Sequence, residues 1–136
     1  STLDTNLVPL TMFARADLLI FQNKDSSALQ TLDSIKTLFY THALADDILY
    51  KKYQIMIKKR KFEDAAGFLA ALLKDYSFDI LGDDAMFKLA ELYENKLSNK
   101  EKAKELYQEI LLQYPGSLYT VEARKRYRNL RGDKIN

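Results

Sequence analysis

The sequence contains no cysteine, and it has only two prolines, four glycines and one histidine among its 136 residues. Without cysteine, disulfide bonds and thiolate metal sites are excluded. The scarcity of proline and glycine argues against a loop-rich chain, because these two residues most often interrupt regular structure. The two prolines, Pro9 and Pro115, fall where helices are expected to begin or end.

Long apolar runs and a strong net charge are also missing. The most apolar stretch is Leu18-Leu19-Ile20-Phe21, which is far shorter than the ~20 residues of a membrane-spanning helix. We therefore expect no membrane span. The net charge of +2 is too small to favour nucleic acid as a partner. The charge is uneven, however, since residues 118–136 hold six Lys or Arg against two acidic residues.

Motifs for catalysis and metal binding are absent as well. The sequence has no G-x-S-x-G segment and no phosphate-binding loop. His42 falls in a predicted turn between hairpins. The pairs Asp46-Asp47 and Asp83-Asp84 are poor chelators, because neighbouring residues on a helix point ~100° apart, and we interpret them as helix starts. We therefore expect no enzymatic activity, no cofactor and no metal site.

What the sequence does contain is a repeat. Residues of the same character recur at steps of 37 residues, with one step of 38 in the last series. The three series are Phe13, Tyr50 and Phe87; Leu18, Ile55 and Leu92; and Ala28, Ala65 and Ala103. A period of this length predicts stacked helical hairpins, in which each hairpin buries a face that it could not bury alone.

The spacing of apolar residues predicts seven helices. In the fifth, Met86, Leu89, Ala90 and Tyr93 fall at i, i+3, i+4 and i+7 and share one face. Asp83 is the expected N-cap of that helix, and Gly132 is the expected stop of the last one. The predicted helices cover residues 10–23, 26–40, 46–59, 63–76, 83–96, 100–114 and 118–131.

The third hairpin resembles a tetratricopeptide repeat, whose pattern is W-x2-L-G-x2-Y, then A-x3-F, then P. The second and first hairpins match this pattern less closely, and in the second a bulky Tyr53 stands at a small-residue position. The third-hairpin residues that carry the resemblance are Met86, Leu89, Ala90, Tyr93, Ala103, Tyr107 and Pro115.

The resemblance implies an all-α fold and a single domain over residues 1–136. Three hairpins, at about 10–40, 46–77 and 83–115, would form a right-handed superhelical stack. The last helix, 118–131, has an apolar stripe opposite an arginine-rich one, which is typical of a cap.

The first helix is apolar on most of its sides, so we expect cover on most of its sides. The hypothesis is that upstream repeats pack there in a longer protein, and that this chain exposes an apolar patch or forms a homodimer through residues 10–40. The segment Tyr114-Pro115-Gly116-Ser117 and its continuation are similar to the ends of repeat arrays in bacterial envelope proteins. This likeness favours a periplasmic or outer-membrane-associated protein over a cytoplasmic one.

The inner wall of such a stack is formed by the first helix of each hairpin. We expect one aromatic ring per hairpin there, followed at helical spacing by polar or aliphatic residues. The expected partner-binding residues are Phe13, Asp17, Ile20, Tyr50, Gln54, Ile57, Phe87, Glu91 and Glu94. The alternative interpretation is that the rings only pack between adjacent hairpins.

The predicted function is a scaffold that binds a protein or peptide on this surface. The alternative is a structural module that self-associates through its apolar N-terminal hairpin. The basic run Lys58-Lys59-Arg60-Lys61, with Lys51 and Lys52 before it, is interpreted as a solvated helix end in preference to a phosphate-binding surface.

Overall fold

The structure, a computed structural model, describes residues 2–39 and 43–133, with side chains from residue 7 onward. Every helix or strand assigned within these ranges is an α-helix, which confirms the all-α prediction. The seven helices are α1 (Thr2–Phe21), α2 (Asp25–Leu38), α3 (Ala45–Lys58), α4 (Phe62–Tyr76), α5 (Gly82–Asn95), α6 (Lys100–Gln113) and α7 (Thr120–Arg131).

The helices pack in chain order, each against the next. Helices α1 and α2, α3 and α4, and α5 and α6 form three hairpins, and α7 packs on α6. The second hairpin meets the third through α4 and α5, whereas α2 and α3 make the smallest contact of any consecutive pair. The predicted stack of helical hairpins is therefore confirmed. We call the contact between consecutive hairpins a joint, and the first joint has the smallest contact between helices.

Small residues lie where the two helices of each hairpin approach each other. Ala16, Ala28, Ala65, Ala90 and Ala103 are all fully buried. Alanine at such positions allows helix axes to come near the short end of the ~8–10 Å packing range. The repeat pattern predicted these positions, and at the equivalent position of the second hairpin the core accommodates the bulky Tyr53, which is 9% exposed.

The turn inside each hairpin has the same backbone shape. Asn23, Arg60 and Ser98 all adopt positive φ angles, of 61°, 58° and 52°. In the first two turns the amide that follows, of Lys24 or Lys61, donates to the carbonyl five residues earlier at 2.8 Å. In the third the corresponding bond runs six residues back, because that turn holds one extra residue.

Two helix starts differ from the prediction by two residues or more. Helix α1 begins at Thr2 and not near residue 10, so Pro9 lies inside the helix with its side chain fully buried. Proline removes one helical hydrogen bond, and burial of its ring offsets that loss. Helix α7 begins at Thr120, two residues later than expected. The predicted end of the second helix at Tyr40, and His42, lie outside the described residues.

Of the two predicted helix caps, that of α7 is confirmed and that of α5 is wrong. The N-cap of α5 is Leu81, without a side-chain cap bond, so the prediction of Asp83 as N-cap is wrong. Asp83 lies in the first turn, where its carboxylate accepts a hydrogen bond from Ser117 Oγ at 2.6 Å. Gly132, with φ of 97°, ends α7 as predicted.

Candidate functional site

The nine predicted partner-binding residues lie on α1, α3 and α5, which we call the first helices because each opens a hairpin. Helix α7 follows α6 as another first helix would. The exposure of the nine varies widely. Asp17 and Gln54 are exposed, Phe87 is only 5% exposed, and the others are half-buried: Phe13, Ile20, Tyr50, Ile57, Glu91 and Glu94.

Each of the three predicted rings contacts a residue of the next repeat. This residue lies on the next first helix, or is the N-cap of α7. The Lys51 Nζ on α3 lies 5.7 Å from the centre of the Phe13 ring. The Tyr50 hydroxyl donates a hydrogen bond to the Asp84 carboxylate on α5. The Phe87 ring stacks on Tyr119, the N-cap of α7, with centres 4.6 Å apart. Each ring therefore contacts the repeat, or the capping helix, that follows its own hairpin.

Asp84 is a second link between repeats, and the sequence treated it only as a helix start. Its carboxylate accepts hydrogen bonds from the hydroxyls of Tyr50 and Tyr119. Tyr50 precedes α5 in the sequence and Tyr119 follows it. Burial and then the bond to Asp84 raise the pKa of Tyr50. The same carboxylate is the first cause of the raised pKa of Tyr119, ahead of burial.

Arg126 on α7 gathers the acidic residues at the C-terminal end of α5. Its Nη1 lies 3.3 Å from Glu94 Oε1 and 3.7 Å from Glu91 Oε2, and its Nε lies 2.9 Å from Glu122 Oε1. The guanidinium also sits 5.7 Å from the centre of the Phe87 ring. Two predicted partner-binding residues, Glu91 and Glu94, are thus already paired inside the chain.

Tyr107 joins this cluster from α6. Its hydroxyl donates to Glu94 Oε1 at 2.8 Å and accepts from Arg126 Nη1 at 3.2 Å. Burial, followed by the bond to Glu94, raises the pKa of this tyrosine. No role for Arg126 was predicted from the sequence, although it lies four residues after Glu122, a spacing that favours an ion pair.

An open cleft of about 570 Å³ lies between α5 and α7. It begins at this charged cluster and extends to the exposed side chains of Asn95 and Asn129. Amide side chains both donate and accept hydrogen bonds, so they can pair with the main chain of a polypeptide. The six lining residues are Glu94, Asn95, Glu122, Lys125, Arg126 and Asn129.

Lysines of α3 link the first two hairpins through ion pairs. Lys51 pairs with Asp17 at 2.7 Å, Lys52 with Asp33 at 2.5 Å and Lys58 with Asp25 at 2.9 Å. Lys58 Nζ also donates to the carbonyl of Ile20 at 3.1 Å. Three lysines that the sequence assigned to a solvated surface therefore have structural partners, whereas Lys59, Arg60 and Lys61 are exposed as expected.

Two further properties bear on function. Within residues 2–39 and 43–133, no helix combines the length and apolar character that crossing a bilayer requires. In the same part of the chain, no group of three or more His, Cys, Asp or Glu side chains is placed to hold a metal ion.

Comparison with known proteins supports the repeat architecture. A scan against protein families matches residues 84–117 to the tetratricopeptide repeat, a segment that takes in most of α5, all of α6 and the turn after them. A search of the curated proteins found no match. The third hairpin thus matches this repeat over residues 84–117, and two more helical hairpins stack before it in the same order.

Proposed function

We propose that this protein is a non-catalytic scaffold that binds a polypeptide segment along its first helices. Tetratricopeptide repeats generally mediate protein–protein interaction and are typically not enzymes. The observation that carries the proposal is the cleft between α5 and α7, where exposed amides flank a cluster of charges. A preformed surface of this kind lowers the entropy cost of binding because its side chains are already held in place.

In this proposal seven of the nine predicted residues fall into three groups. Phe87, Glu91 and Glu94 hold the wall in shape, because the ring is buried and both carboxylates lie within 4 Å of Arg126. The exposed side chain of Gln54 can meet a partner's polar groups, and Asp17, although paired with Lys51, keeps its carboxylate at the surface. Between them, the half-buried Ile20 and Ile57 offer apolar contact.

The cleft favours an extended segment over a folded domain. Asn95 and Asn129 can each hydrogen-bond with a main-chain amide, which an extended peptide exposes and a folded domain does not. Lys125 adds a positive charge at the rim of the cleft. We therefore expect a bound segment to carry an acidic side chain near the residue that the asparagines hold.

Selection from a random peptide library, followed by calorimetry, tests the proposal. We expect the selected peptides to bind the wild-type protein and to lose about tenfold or more in affinity to an Asn95→Ala/Asn129→Ala variant, since each buried hydrogen bond lost at an interface costs roughly 1 kcal/mol or more. Gln108→Ala, an exposed amide on α6, is the matched control and should bind normally.

The position of the bound peptides on the protein gives a second test of the proposal. Chemical-shift mapping of the selected peptides should place them on α5 and α7. Peptides that map to the second helices α2, α4 and α6, or that bind the double variant as well as the wild type, would exclude the cleft as the binding surface.

A further inference from the structure

Helix α1 has a second apolar face, directed away from its own hairpin. Leu7, Leu10, Leu18 and Phe21 are 53%, 47%, 55% and 85% exposed, and Ala14 between them is exposed as well. At ~100° per residue these five side chains fall within about 80° around the helix. We call them the α1 stripe. The buried side of the same helix is formed by Pro9, Ala16 and the half-buried Met12 and Leu19.

The repeat shows what kind of surface the stripe is. Leu18 corresponds, at steps of 37 residues, to Ile55 on α3 and Leu92 on α5, which are 0% and 5% exposed. Those two residues belong to the core that the stacked hairpins share. The α1 stripe therefore has the composition of a stacking surface, but within this chain nothing described lies on it.

The spacing of the stripe is symmetrical about Ala14. Its members are separated by steps of 3, 4, 4 and 3 residues. If two copies of α1 lie antiparallel, related by a two-fold axis at Ala14, Leu7 meets Phe21 of the second copy and Leu10 meets its Leu18. The two Ala14 side chains meet at the axis, where their small size allows the helices close approach.

Charge is compatible with this pairing. The stripe contains no charged residue, and the charged residues within 7–21 are Arg15 and Asp17. They flank the stripe, and Asp17 is paired with Lys51 of its own chain. From this symmetry and this charge pattern we infer that the occupant of the α1 stripe is a second copy of the chain, bound in an antiparallel two-fold dimer centred on Ala14.

A head-to-tail arrangement, in which the α1 stripe of one copy packs on α7 of another, fits the surfaces less well. The outer side of α7, at the other end of the stack, exposes Arg124, Lys125, Arg128 and Arg131. An uncharged leucine-rich stripe offers these cations no partner and would remove them from water. Head-to-tail contacts would also propagate without closing, whereas the two-fold pairing covers both stripes at once.

The dimer is weak and reversible, because the stripe is small. Its 15 residues, from Leu7 to Phe21, correspond to about 21 Å of helix, and a stable protein interface usually buries about 800 Å² per partner over a wider patch. Association is therefore expected to depend on concentration. This inference does not rest on the proposed peptide-binding function.

Cysteine cross-linking tests the symmetry directly, since the chain has no native cysteine. Under mild oxidation, Ala14→Cys should form a disulfide dimer with itself. Leu10→Cys should fail to do so alone, because the two sulfurs would lie about 12 Å apart along the helix, beyond the reach of a disulfide. It should cross-link when mixed with Leu18→Cys. Leu112→Cys, exposed on α6, is the control for random collisions.

Sedimentation over a range of concentrations gives the second test. Wild-type protein should shift from monomer to dimer, and Leu18→Glu should raise the dimer dissociation constant by about tenfold or more, since it places charge in an apolar contact. Ile80→Glu, at a 93% exposed position outside α1, should leave it unchanged. Circular dichroism checks that each variant is folded.

Two results would overturn the inference. One is a wild-type protein that stays monomeric up to millimolar concentration, which would leave the stripe for a different occupant. The other is a dimer that survives Leu18→Glu or that Ala14→Cys does not trap, which would place the contact elsewhere on the molecule.

Discussion

Gly82 illustrates how a single residue supports the joint between two repeats. A Cβ atom at this position would lie 2.0 Å from the carbonyl oxygen of Ser77 and 2.6 Å from the Tyr114 hydroxyl. That hydroxyl donates a hydrogen bond to the same carbonyl. The absence of a side chain at residue 82 therefore allows the turn before α5, the start of α5 and the end of the third hairpin to meet.

We expect Gly82→Ala to destabilise the protein by about 1–3 kcal/mol, the usual cost of overpacking a tight site. Gly67→Ala is the matched control, because Gly67 lies within α4 and a Cβ there meets nothing within 4 Å. It should stabilise the protein by about 0.5–1 kcal/mol, since alanine loses less conformational entropy than glycine in a helix. Urea denaturation of both variants measures the difference, and equal effects would contradict the steric argument.

Asp84 is the other residue on which a joint depends. Asp84→Ala removes the acceptor of two partly buried tyrosine hydroxyls, so we expect a loss of about 1–3 kcal/mol in the free energy of unfolding. Glu105→Ala, at an exposed position of α6, should change it by less than about 0.5 kcal/mol. In a Tyr50→Phe/Asp84→Ala cycle the two losses should not add; simple additivity would mean that the bond contributes nothing.

At the scale of elements, the joint between the first and second hairpins differs from the joints that follow it. Here α2 and α3 make little contact, and three lysine–aspartate pairs connect α3 to the first hairpin and its turn. The later joints rely on rings, hydroxyls and the Arg126 cluster. Because exposed ion pairs are screened by salt and little helix contact supports this joint, we expect salt to weaken the first joint more than the later ones.

This difference can be measured by hydrogen exchange. Raising the salt concentration to about 0.5 M shortens the screening length to roughly 4–5 Å, and we expect amides of α1 and α2 to exchange faster while those of α5 and α6 change little. Lys58→Met is a useful comparison, since this lysine is exposed and pairs with Asp25. The variant should lose part of the salt response. Uniform exchange rates across the chain at both salt concentrations would contradict the idea of a separate first joint.

At the scale of the whole molecule, buried tyrosines make stability depend on alkaline pH. Burial is the first cause that raises the pKa of Tyr53, to about 12, and the same cause raises the pKa of Tyr50 and Tyr107. The ordinary value is about 10. Between these values the unfolded chain loses protons that the folded chain keeps, so stability that is fully present below pH 10 is lost as the pH rises toward 12.

We therefore expect the free energy of unfolding to be level from pH 8 to about 9.5 and to fall above it. Tyr53→Phe should make this fall less steep, because one of the responsible groups is removed. Tyr127→Phe on α7 is the comparison variant, because Tyr127 is not one of the three tyrosines held responsible for the fall. The measurement is denaturation by urea at a series of pH values, and a wild-type protein whose stability stays constant up to pH 11.5 would contradict the linkage.

The sequence by itself determined the helices, their pairing and the small residues between them. The series ending at Phe87, Leu92 and Ala103 revealed the repeat, and helical spacing revealed which face of each helix is buried. These features follow from local rules, because residues three or four apart on a helix share a face whatever surrounds it. Pro9 does not mark a helix start as these rules predict, because burial of its ring compensates for the hydrogen bond that it removes from α1.

Only the tertiary structure decided what the side chains between repeats do. The side chains that form hydrogen bonds or ion pairs with those of Asp84, Arg126 and Lys52 lie 19 to 35 residues away along the chain, apart from Glu122. Such contacts depend on how far one hairpin is shifted and rotated over the next, which periodicity does not encode. For that reason Phe87 was predicted as a contact for a partner, while the stacked hairpins bury it between Tyr107 and Tyr119.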